Sequence, residues 1–192
     1  MIAFVRGNFA LKTPGQVVVD VNGVGYDLHI SLNTYTAISN KDAGQLFTYL
    51  HITENAQTLY GFADQKEREL FLMLISVSGV GAATARMMLS GMKPEEIAKA
   101  IVQGNAKLLE SIKGIGRKTA ERLILELRDK VSKTTDGLSV TTGVNNYEND
   151  AVNALISLGI AKHTAEQAIK KVMASNENQP LEDLIKQALK NI

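Results

Sequence analysis

The stretch GVGAATA (79–85) returns as GIGRKTA (114–120), 35 residues further along the chain. Each copy is a Gly-X-Gly corner with an apolar central residue, followed after two positions by Thr-Ala. An apolar run at helical spacing precedes each corner, and another follows it. The repeat predicts two helix-hairpin-helix units. We call residues 79–81 the first hairpin and residues 114–116 the second hairpin.

The glycines of these corners allow positive φ and leave no Cβ between the main chain and a ligand. Val80 and Ile115 would fix each corner to a core, and the next helix would start with unpaired N–H groups at the positive end of its dipole. Such amides suit a phosphate oxygen and hold a nucleic-acid backbone without reading bases. One corner alone is explained equally well as a plain turn. Two at a fixed separation favour phosphate binding, and Arg117 and Lys118 add charge only to the second.

The distribution of charge agrees with a phosphate contact in the middle of the chain. The 192 residues carry a net charge of +1, but residues 1–63 sum to −1, residues 64–133 to +4 and residues 134–192 to −2. The positive surplus therefore coincides with both hairpins. Cysteine is absent, which excludes disulfides and thiolate metal sites. No apolar stretch reaches membrane-spanning length, so we expect a soluble cytoplasmic protein.

Residues 1–63 alternate between apolar and polar positions, which predicts about five strands with a short helical or irregular stretch near residues 33–39. Asn22-Gly23 predicts one tight turn between strands, and Glu54-Asn55 a second. We expect a small closed barrel of the OB type. Such barrels often bind nucleic acid through surface aromatics, but a core position is favoured for most aromatic residues of this segment. They are Phe9, Tyr26, Tyr35, Phe47, Tyr49, Tyr60 and Phe62.

Residues 64–133 change to helical periodicity and predict five helices separated by glycine or proline signals. Residues 134–147, TTDGLSVTTGVNNY, have little apolar content and no period, which indicates a flexible linker. Residues 148–192 return to three short amphipathic helices. A small helical domain on a loose tether suits the docking of a partner. The alternative is an accessory bundle that packs only on its own body.

The sequence contains no arrangement typical of an enzyme active site. The run SIKGIGRKT (111–119) departs from a Walker A loop, because its first residue is not glycine and an arginine intrudes before the lysine. No histidine pair has metal-ligand spacing, so neither a metal nor a cofactor is expected. Base-excision glycosylases use a similar hairpin with a catalytic aspartate beyond it. Asp136 has a comparable separation but lies in the predicted linker, and Asp129 lies between charged neighbours, so nothing would activate either. A hairpin-based glycosylase or nuclease stays open, as does a general adaptor for duplex DNA.

The order of these segments resembles one family, RuvA, the Holliday-junction recognition subunits of bacterial branch-migration machines. The stretches that carry the resemblance are MIAFVRG (1–7), NGVGYDLHIS (22–31), TENAQTLYGF (53–62), SGVGAATARMMLSG (78–91) and GIGRKTAERLILEL (114–127). The resemblance implies a multi-domain β plus α chain. Its parts are an OB-fold barrel, an all-α domain with two helix-hairpin-helix motifs, a flexible linker and a C-terminal three-helix, UBA-like bundle.

The resemblance also implies a non-catalytic DNA-binding subunit. Members form a homotetramer whose concave basic face holds a four-way junction open, and whether one tetramer or two enclose the junction stays open. Each subunit grips the minor-groove side of an arm through both hairpins. Ala82 and Ala83 stand where the family often has a basic residue, so the grip should depend more on the second hairpin. The backbone contacts carry over onto Gly79, Val80, Gly81, Thr84, Gly114, Ile115, Gly116, Arg117, Lys118 and Thr119.

Two further features follow from the resemblance. The family has an acidic pin in a barrel turn, usually with two acids, and in this chain the pin is Glu54 and Asn55, which halves its charge. The tail resembles the mobile domain that binds and stimulates the hexameric ATPase RuvB, which supplies the ATP hydrolysis. The RuvC resolvase is a further expected partner. The tail residues expected to contact the motor are Leu155, Leu158, Gly159 and Ile160.

Overall fold

The structure is a computed structural model that describes residues 2–136, 145–175 and 180–191. The chain forms two compact units, Met1–Asp136 and Gly137–Ile192. The described part of the first unit contains a β-barrel followed by a helical domain, and that of the second contains helices alone.

The N-terminal segment forms the closed barrel expected from its alternating pattern. Its elements are β1 (Phe4–Thr13), β2 (Gln16–Val21), β3 (Val24–Ile30), α1 (Leu32–Ile38), β4 (Ala43–Ile52) and β5 (Gln57–Phe62). The strands pair in the order β1-β2-β3-β5-β4, with β3 and β5 parallel and the other pairs antiparallel. The short helix α1 separates β3 from β4, where the sequence predicted a helical or irregular stretch.

The tight turn predicted at Asn22-Gly23 joins β2 to β3. Asn22 has a φ of 52° and Gly23 a φ of 90°, as a type I′ turn requires. The Gly23 N–H donates to the Asp20 side chain at 2.7 Å, which adds a local constraint on the turn. The turn brings Val21 opposite Val24 and so sets the strand register that directs alternate residues into the barrel. The core thus formed contains Val5, Phe9, Val17, Val19, Leu28, Ile30, Ile38, Leu46 and Leu59.

Five helices follow the barrel, as the periodicity predicted. They are α2 (Gln65–Ile75), α3 (Ala82–Gly91), α4 (Pro94–Val102), α5 (Ala106–Glu110) and α6 (Arg117–Asp136). Apolar residues from all five converge on one core, which includes Phe71, Met88, Ile101, Leu109 and Leu123. Helix α6 continues to Asp136, so residues 134–136 are helical although the sequence analysis assigned them to the linker.

The barrel aromatics show how the two parts of this unit pack together. Phe9 lies in the barrel core, whereas Tyr60 and Phe62 belong to the core of the helical domain. The rings of Phe62 and Phe71 are 4.9 Å apart, and those of Tyr60 and Phe71 are 5.1 Å apart. Phe47 and Tyr49 are partly buried against the same core. The outer face of β4 and β5 is therefore an interface with α2.

A buried carboxylate reinforces this interface. Glu67 on α2 is 1% exposed and accepts hydrogen bonds from the hydroxyls of Ser31 and Thr34, the latter at 2.5 Å. Burial raises the pKa of Glu67 above its ordinary value, while the two hydroxyl donors act in the opposite direction. Since Ser31 caps α1 and Thr34 lies within it, Glu67 joins the first helix of the helical domain to the barrel.

The second unit contains α7 (Asn145–Ser157), α8 (Lys162–Ser175) and α9 (Leu181–Lys190), as its three amphipathic stretches predicted. Their apolar faces meet in a core that includes Ala151, Leu155, Ile169, Val172 and Leu184. Residues 145–147 belong to α7, so this helix begins inside the predicted linker. The remainder of the predicted linker, residues 137–144, lies outside the described residues.

Candidate nucleic-acid interface

The first hairpin connects α2 to α3 and has the geometry that its glycines require. Gly79 has a φ of +94°, which favours glycine over any residue with a side chain. Val80 is 5% exposed and its N–H donates to the Val77 carbonyl at 3.1 Å, so the centre of the corner is fixed to the core. The Ala85 N–H donates to the Gly81 carbonyl at 2.9 Å, which makes Gly81 the N-cap of α3.

The second hairpin repeats this geometry between α5 and α6. Gly114 also has a φ of +94°, and Ile115 is 5% exposed. The Ile115 N–H donates to the Ile112 carbonyl at 3.1 Å, and the Ala120 N–H to the Gly116 carbonyl at 2.9 Å. Every one of these bonds has its counterpart 35 positions earlier, so the sequence repeat is also a repeat of backbone structure.

The two hairpins lie against each other. A Cβ placed on Gly79 would have Thr119 Oγ1 as its nearest neighbour, at 3.9 Å, and one placed on Gly114 would have Thr84 Cγ2, at 3.8 Å. Each corner therefore faces the first turn of the helix that follows the other corner. Both threonines are partly buried. We call residues 79–84 and 114–119 together the hairpin surface.

The helices that leave the hairpins present free amide donors. Gly81 provides no side-chain cap for α3. Within residues 2–136, no group accepts a hydrogen bond from the N–H groups of residues 82–84 or of residues 117–119. These donors lie at the positive ends of two helix dipoles, an arrangement that binds anionic oxygen. Gly81 and Gly116 are both exposed, and a Cβ on either would meet no atom within 4 Å.

Charge distinguishes the two halves of the hairpin surface. Arg117 and Lys118 are exposed on the second half, while Ala82 is buried and Ala83 exposed on the first. Arg117 Nε lies 2.9 Å from Glu121 Oε1, and this hydrogen bond and charge raise the pKa of Arg117 above its ordinary value. Both side chains are largely exposed, at 80% and 56%. Such a pair contributes little, so Arg117 is free to exchange Glu121 for a phosphate.

Arg122 on α6, which was not among the predicted site residues, links the two hairpins. Its Nη1 donates to the carbonyl of Ser78, the residue before the first hairpin, at 3.1 Å. Arg122 lies one helical turn after Lys118, on the same side of α6 and exposed. The i, i+4 spacing of Lys118 and Arg122 in the sequence was a usable signal for this third cation, beside Arg117 and Lys118. A concave surface lined by residues 75–81 lies next to this contact.

The predicted pin is a short turn at the end of the barrel between β4 and β5. The Thr53 N–H donates to the Ala56 carbonyl at 2.9 Å, and the Ala56 N–H donates to Thr53 Oγ1 at 3.2 Å. Glu54 and Asn55 lie between these residues, and both are exposed. The tip of the turn therefore carries a single carboxylate.

The expected motor-binding residues divide into surface and core. Leu158 is 64% exposed, and Gly159, with a φ of +91°, turns the chain after α7. Ile160 is partly buried against the domain core. Leu155 is fully buried, which corrects its assignment as a contact residue: it lies on the inner face of α7 and cannot reach a partner.

Two exposed apolar residues of this domain were not anticipated. Ile156 on α7 is 38% exposed and Leu189 on α9 is 43% exposed. With Leu158 they are the large apolar side chains that the described residues of the domain present to solvent. Periodicity separates the buried face of a helix from its outer face, but it does not single out an apolar residue on the outer face.

The two aspartates considered for catalysis both belong to α6. Asp129 is exposed on α6. Asp136 is the last residue of α6 and not a linker residue as the sequence analysis expected, because the helix extends further than its apolar period. Among the described residues, no three His, Cys, Asp or Glu side chains are placed to bind a metal ion together. None of the helices within those residues has the length and apolarity that crossing a membrane requires.

Comparison with protein families divides the chain into three matched segments. Residues 1–61 match the family described as RuvA N terminal domain, and residues 147–192 match RuvA, C-terminal domain. Between them, residues 71–129 match the SAM-like Helix-hairpin-helix tandem. The middle match includes both hairpins.

Similar proteins align over the full length of the chain. The Holliday junction branch migration complex subunit RuvA of Flavobacterium psychrophilum is 46% identical, with 100% of both chains covered. The protein of the same name from Cytophaga hutchinsonii is 44% identical, with 99% of each chain covered. That of Bacteroides thetaiotaomicron is also 44% identical, with 100% of both chains covered.

Proposed function

Because this chain belongs to the RuvA family, we propose that it binds Holliday junctions as the non-catalytic subunit of a branch-migration complex in recombination and DNA repair. The observation that carries the proposal is the reciprocal packing of the two hairpins, each with free amides at the start of a helix. Amide donors at two adjacent corners suit two phosphates of a duplex arm. They contact no base edges, so binding is independent of sequence.

The hairpin surface supports unequal roles for its halves. The first half holds phosphate by main chain alone, since Ala82 is buried and the methyl side chain of Ala83 has no hydrogen-bond donor. The second half adds Arg117 and Lys118, whose charges release counterions from DNA. Val80 and Ile115 hold the corners in place from below and do not contact the DNA through their side chains.

The turn at Glu54 and Asn55 acts at the crossover of the junction. A carboxylate there repels phosphates and guides the separation of strands, and the two hydrogen bonds between Thr53 and Ala56 keep the tip in one conformation. With one acid at the tip, the shape of the turn contributes more than its charge. Asn55→Asp and Glu54→Gln each change the charge and keep the size of the side chain, so both should then change the rate of branch migration only slightly; a large change with either would show that charge dominates.

The C-terminal domain recruits RuvB, which hydrolyses the ATP. Ile156 in the last turn of α7 and Leu158 just after this helix are exposed apolar side chains of the kind that docks a partner. A Leu158→Glu variant is expected to bind junctions normally and to lose stimulation of the motor, while Lys170→Glu, an exposed change on α8, should retain both. Normal stimulation by Leu158→Glu would refute this assignment. The RuvC resolvase is a further proposed partner.

We also propose that the chain acts in the cytoplasm as a homotetramer, and that one or two tetramers enclose a junction. Leu125 supports self-association, because it is 83% exposed on α6 among charged neighbours and an apolar side chain so placed favours burial by another subunit. A Leu125→Lys variant should shift the mass measured by light scattering toward smaller species. An unchanged mass would exclude this contact.

One binding experiment separates the proposal from its rivals. Labelled four-way junctions and linear duplexes with the same arm sequence are titrated with the protein at several salt concentrations. We expect tighter binding to the junction whatever its sequence, and intact DNA after incubation. Equal affinity for both would favour a general duplex adaptor, and base release or strand cleavage by the chain alone would favour an enzyme.

A further inference from the structure

Helix α3, which starts at the first hairpin, is fastened to the barrel near its middle by Arg86. Arg86 Nη1 donates to the carbonyl of Gly15, in the turn between β1 and β2, at 3.0 Å. The same nitrogen lies 3.3 Å from Nδ1 of His29 on β3. One side chain of α3 therefore contacts two separate elements of the barrel.

The C-terminal end of α3 is fastened as well. The backbone N–H of Leu32 donates to Ser90 Oγ at 3.1 Å. The side-chain amide of Asn33 donates to the carbonyls of Leu89 and Met92 at 2.6 and 2.9 Å. The last carbonyls of a helix lack partners within it, so α1 of the barrel caps α3. The barrel thus holds α3 at two points along its length.

We call Arg86, Ser90 and Asn33 the α3 clamp, and the internal repeat shows that a hairpin does not need it. The residues 35 positions after Arg86 and Ser90 are Glu121 and Leu125. Glu121 pairs within its own helix, and Leu125 is 83% exposed. The second hairpin nevertheless has the same backbone bonds and the same glycine φ as the first. The clamp therefore serves the position of the first hairpin and not its formation.

The environment of Arg86 is costly for a cation. Arg86 is partly buried, and no carboxylate within residues 2–136 forms an ion pair with it. Because a guanidinium can only donate, His29 Nδ1 is the acceptor in this contact. The ring of Tyr60 lies 5.9 Å from that of His29. Two neutral acceptors therefore hold a partly desolvated cation in place, with no counter-ion among these residues.

Two paired strands, β3 and β5, connect the α3 clamp to the pin. His29 on β3 is opposite Tyr60 on β5, and β5 begins at Gln57, just after the turn that carries Glu54. We propose that the α3 clamp sets the position of the first hairpin relative to this turn and thereby makes the protein prefer four-way junctions to linear duplexes. Arg86 is its central positioning residue. The inference rests on the proposed function, since it assigns the hairpins and the turn to the same DNA.

The preference follows from what each DNA requires. A linear duplex needs only the hairpin surface, whose two halves are held together by their own contacts. A four-way junction must contact the hairpins with an arm and the pin with its crossover at the same time. The hairpins and the pin must therefore be held at a fixed distance and orientation. When two contacts are rigidly coupled, the second forms at little entropic cost. A loosened clamp therefore weakens junction binding and leaves duplex binding unchanged.

The test compares junction and duplex affinity in the full-length protein. For Arg86→Ala we expect the ratio of the two affinities to fall about tenfold, with duplex affinity changed by less than about twofold, because only the coupled contact is lost. Asn33→Ala should lower the ratio in the same direction. Arg86→Lys keeps the charge and one donor for the Gly15 carbonyl, so it should recover part of the ratio. Lys99→Ala is the matched control, since it removes one positive charge from an exposed position on α4.

The control should weaken both complexes equally or not at all. The inference is overturned if Arg86→Ala keeps the wild-type ratio, or if it weakens both complexes by the same factor. If Arg86→Ala fails to fold, Asn33→Ala decides by the same criterion. A wild-type protein without any junction preference would refute the proposed function itself, and that result is distinct from a preference that survives loss of the clamp.

Discussion

The two hairpins have the same backbone and different side chains. Both have a glycine at a φ of +94°, a central apolar residue that is 5% exposed and matching hydrogen bonds on either side. Within residues 2–136, the exposed cations of the hairpin surface lie on its second half alone, and α3, which follows the first hairpin, is the helix of the two that is hydrogen-bonded to the barrel. The comparison shows that the geometry of the grip depends on the main chain, while charge and position are added separately. The two contributions can therefore be removed one at a time.

The largest expected effect comes from blocking the main chain. Gly81→Val and Gly116→Val add side chains where no protein atom lies within 4 Å, so the protein tolerates them and a phosphate does not. Each should cost about 1.5 to 3 kcal/mol of junction binding, roughly ten- to a hundredfold in Kd, as expected for lost hydrogen bonds to a charged group. Fluorescence anisotropy with a labelled junction measures the change. Gly79 and Gly114 are poorer targets, because valine is strained at a positive φ.

Gly91→Val is the control for these substitutions. Gly91 is exposed at the end of α3, and a Cβ there also meets nothing within 4 Å. The control should bind junctions like the wild type. Near-normal binding by either Gly81→Val or Gly116→Val would show that the corresponding hairpin does not hold phosphate by its main chain.

The second effect separates the hairpins by charge. Replacing Arg117 and Lys118 together with alanine should lower the slope of log Kobs against log salt concentration by about 1.8, since each phosphate contact contributes about 0.9. Gly81→Val should leave this slope unchanged, because no cation lies on the first hairpin. Titrations at four salt concentrations supply the slopes. If the double variant has the wild-type slope, these residues do not neutralise phosphates.

The third prediction makes the first hairpin more like the second. Ala83 is exposed in the first turn of α3, at the position equivalent to Lys118. Ala83→Lys should increase the salt slope by about 0.9 and strengthen junction binding several-fold at low salt. The equivalent change at Ala82 is unsuitable because that residue is buried. Unaltered affinity and slope would place Ala83 away from the DNA.

The smallest expected effect is on the stability of the fold and involves Glu67 on α2, the helix that precedes the first hairpin. Burial raises the pKa of Glu67 in the folded state, so its contribution to stability is complete below the pKa of the unfolded chain and is lost as pH rises through the folded pKa. Relative to Glu67→Gln, the wild type should therefore lose free energy of unfolding as the pH rises above the ordinary pKa of glutamate, by about 1.4 kcal/mol for each pKa unit of difference. Denaturant titrations at several pH values measure this. Parallel profiles for the two proteins would contradict it.

Local patterns were sufficient to predict the elements of this fold. The Asn22-Gly23 turn, the strand alternation and the two Gly-X-Gly corners each depend on residues close together in the sequence. The end of α6 was different, since residues 134–136 continue the helix without an apolar residue to mark the period. Leu155 was assigned to a surface because the resemblance placed a motor contact near it, while its position in the helical period puts it in the core.

The contacts between the barrel and the helices were not predictable from the sequence. Glu67 is hydrogen-bonded to Ser31, and Arg86 to Gly15, although the two residues of each pair lie far apart in the chain. Nothing in the local sequence distinguishes such a polar side chain from one that faces solvent. The mutual packing of the hairpins was hidden for the same reason, although the repeat itself was evident. The candidate site was thus identified by its parts, and the structure supplied their arrangement.

A co-crystal structure with a four-way junction tests the central claim most directly. The account predicts that amide nitrogens at the starts of both α3 and α6 lie about 2.7 to 3.2 Å from phosphate oxygens, as hydrogen bonds require, with no base contact from either hairpin. It would be contradicted by a complex in which the DNA lies on another face and the amides of residues 82–84 and 117–119 meet no phosphate.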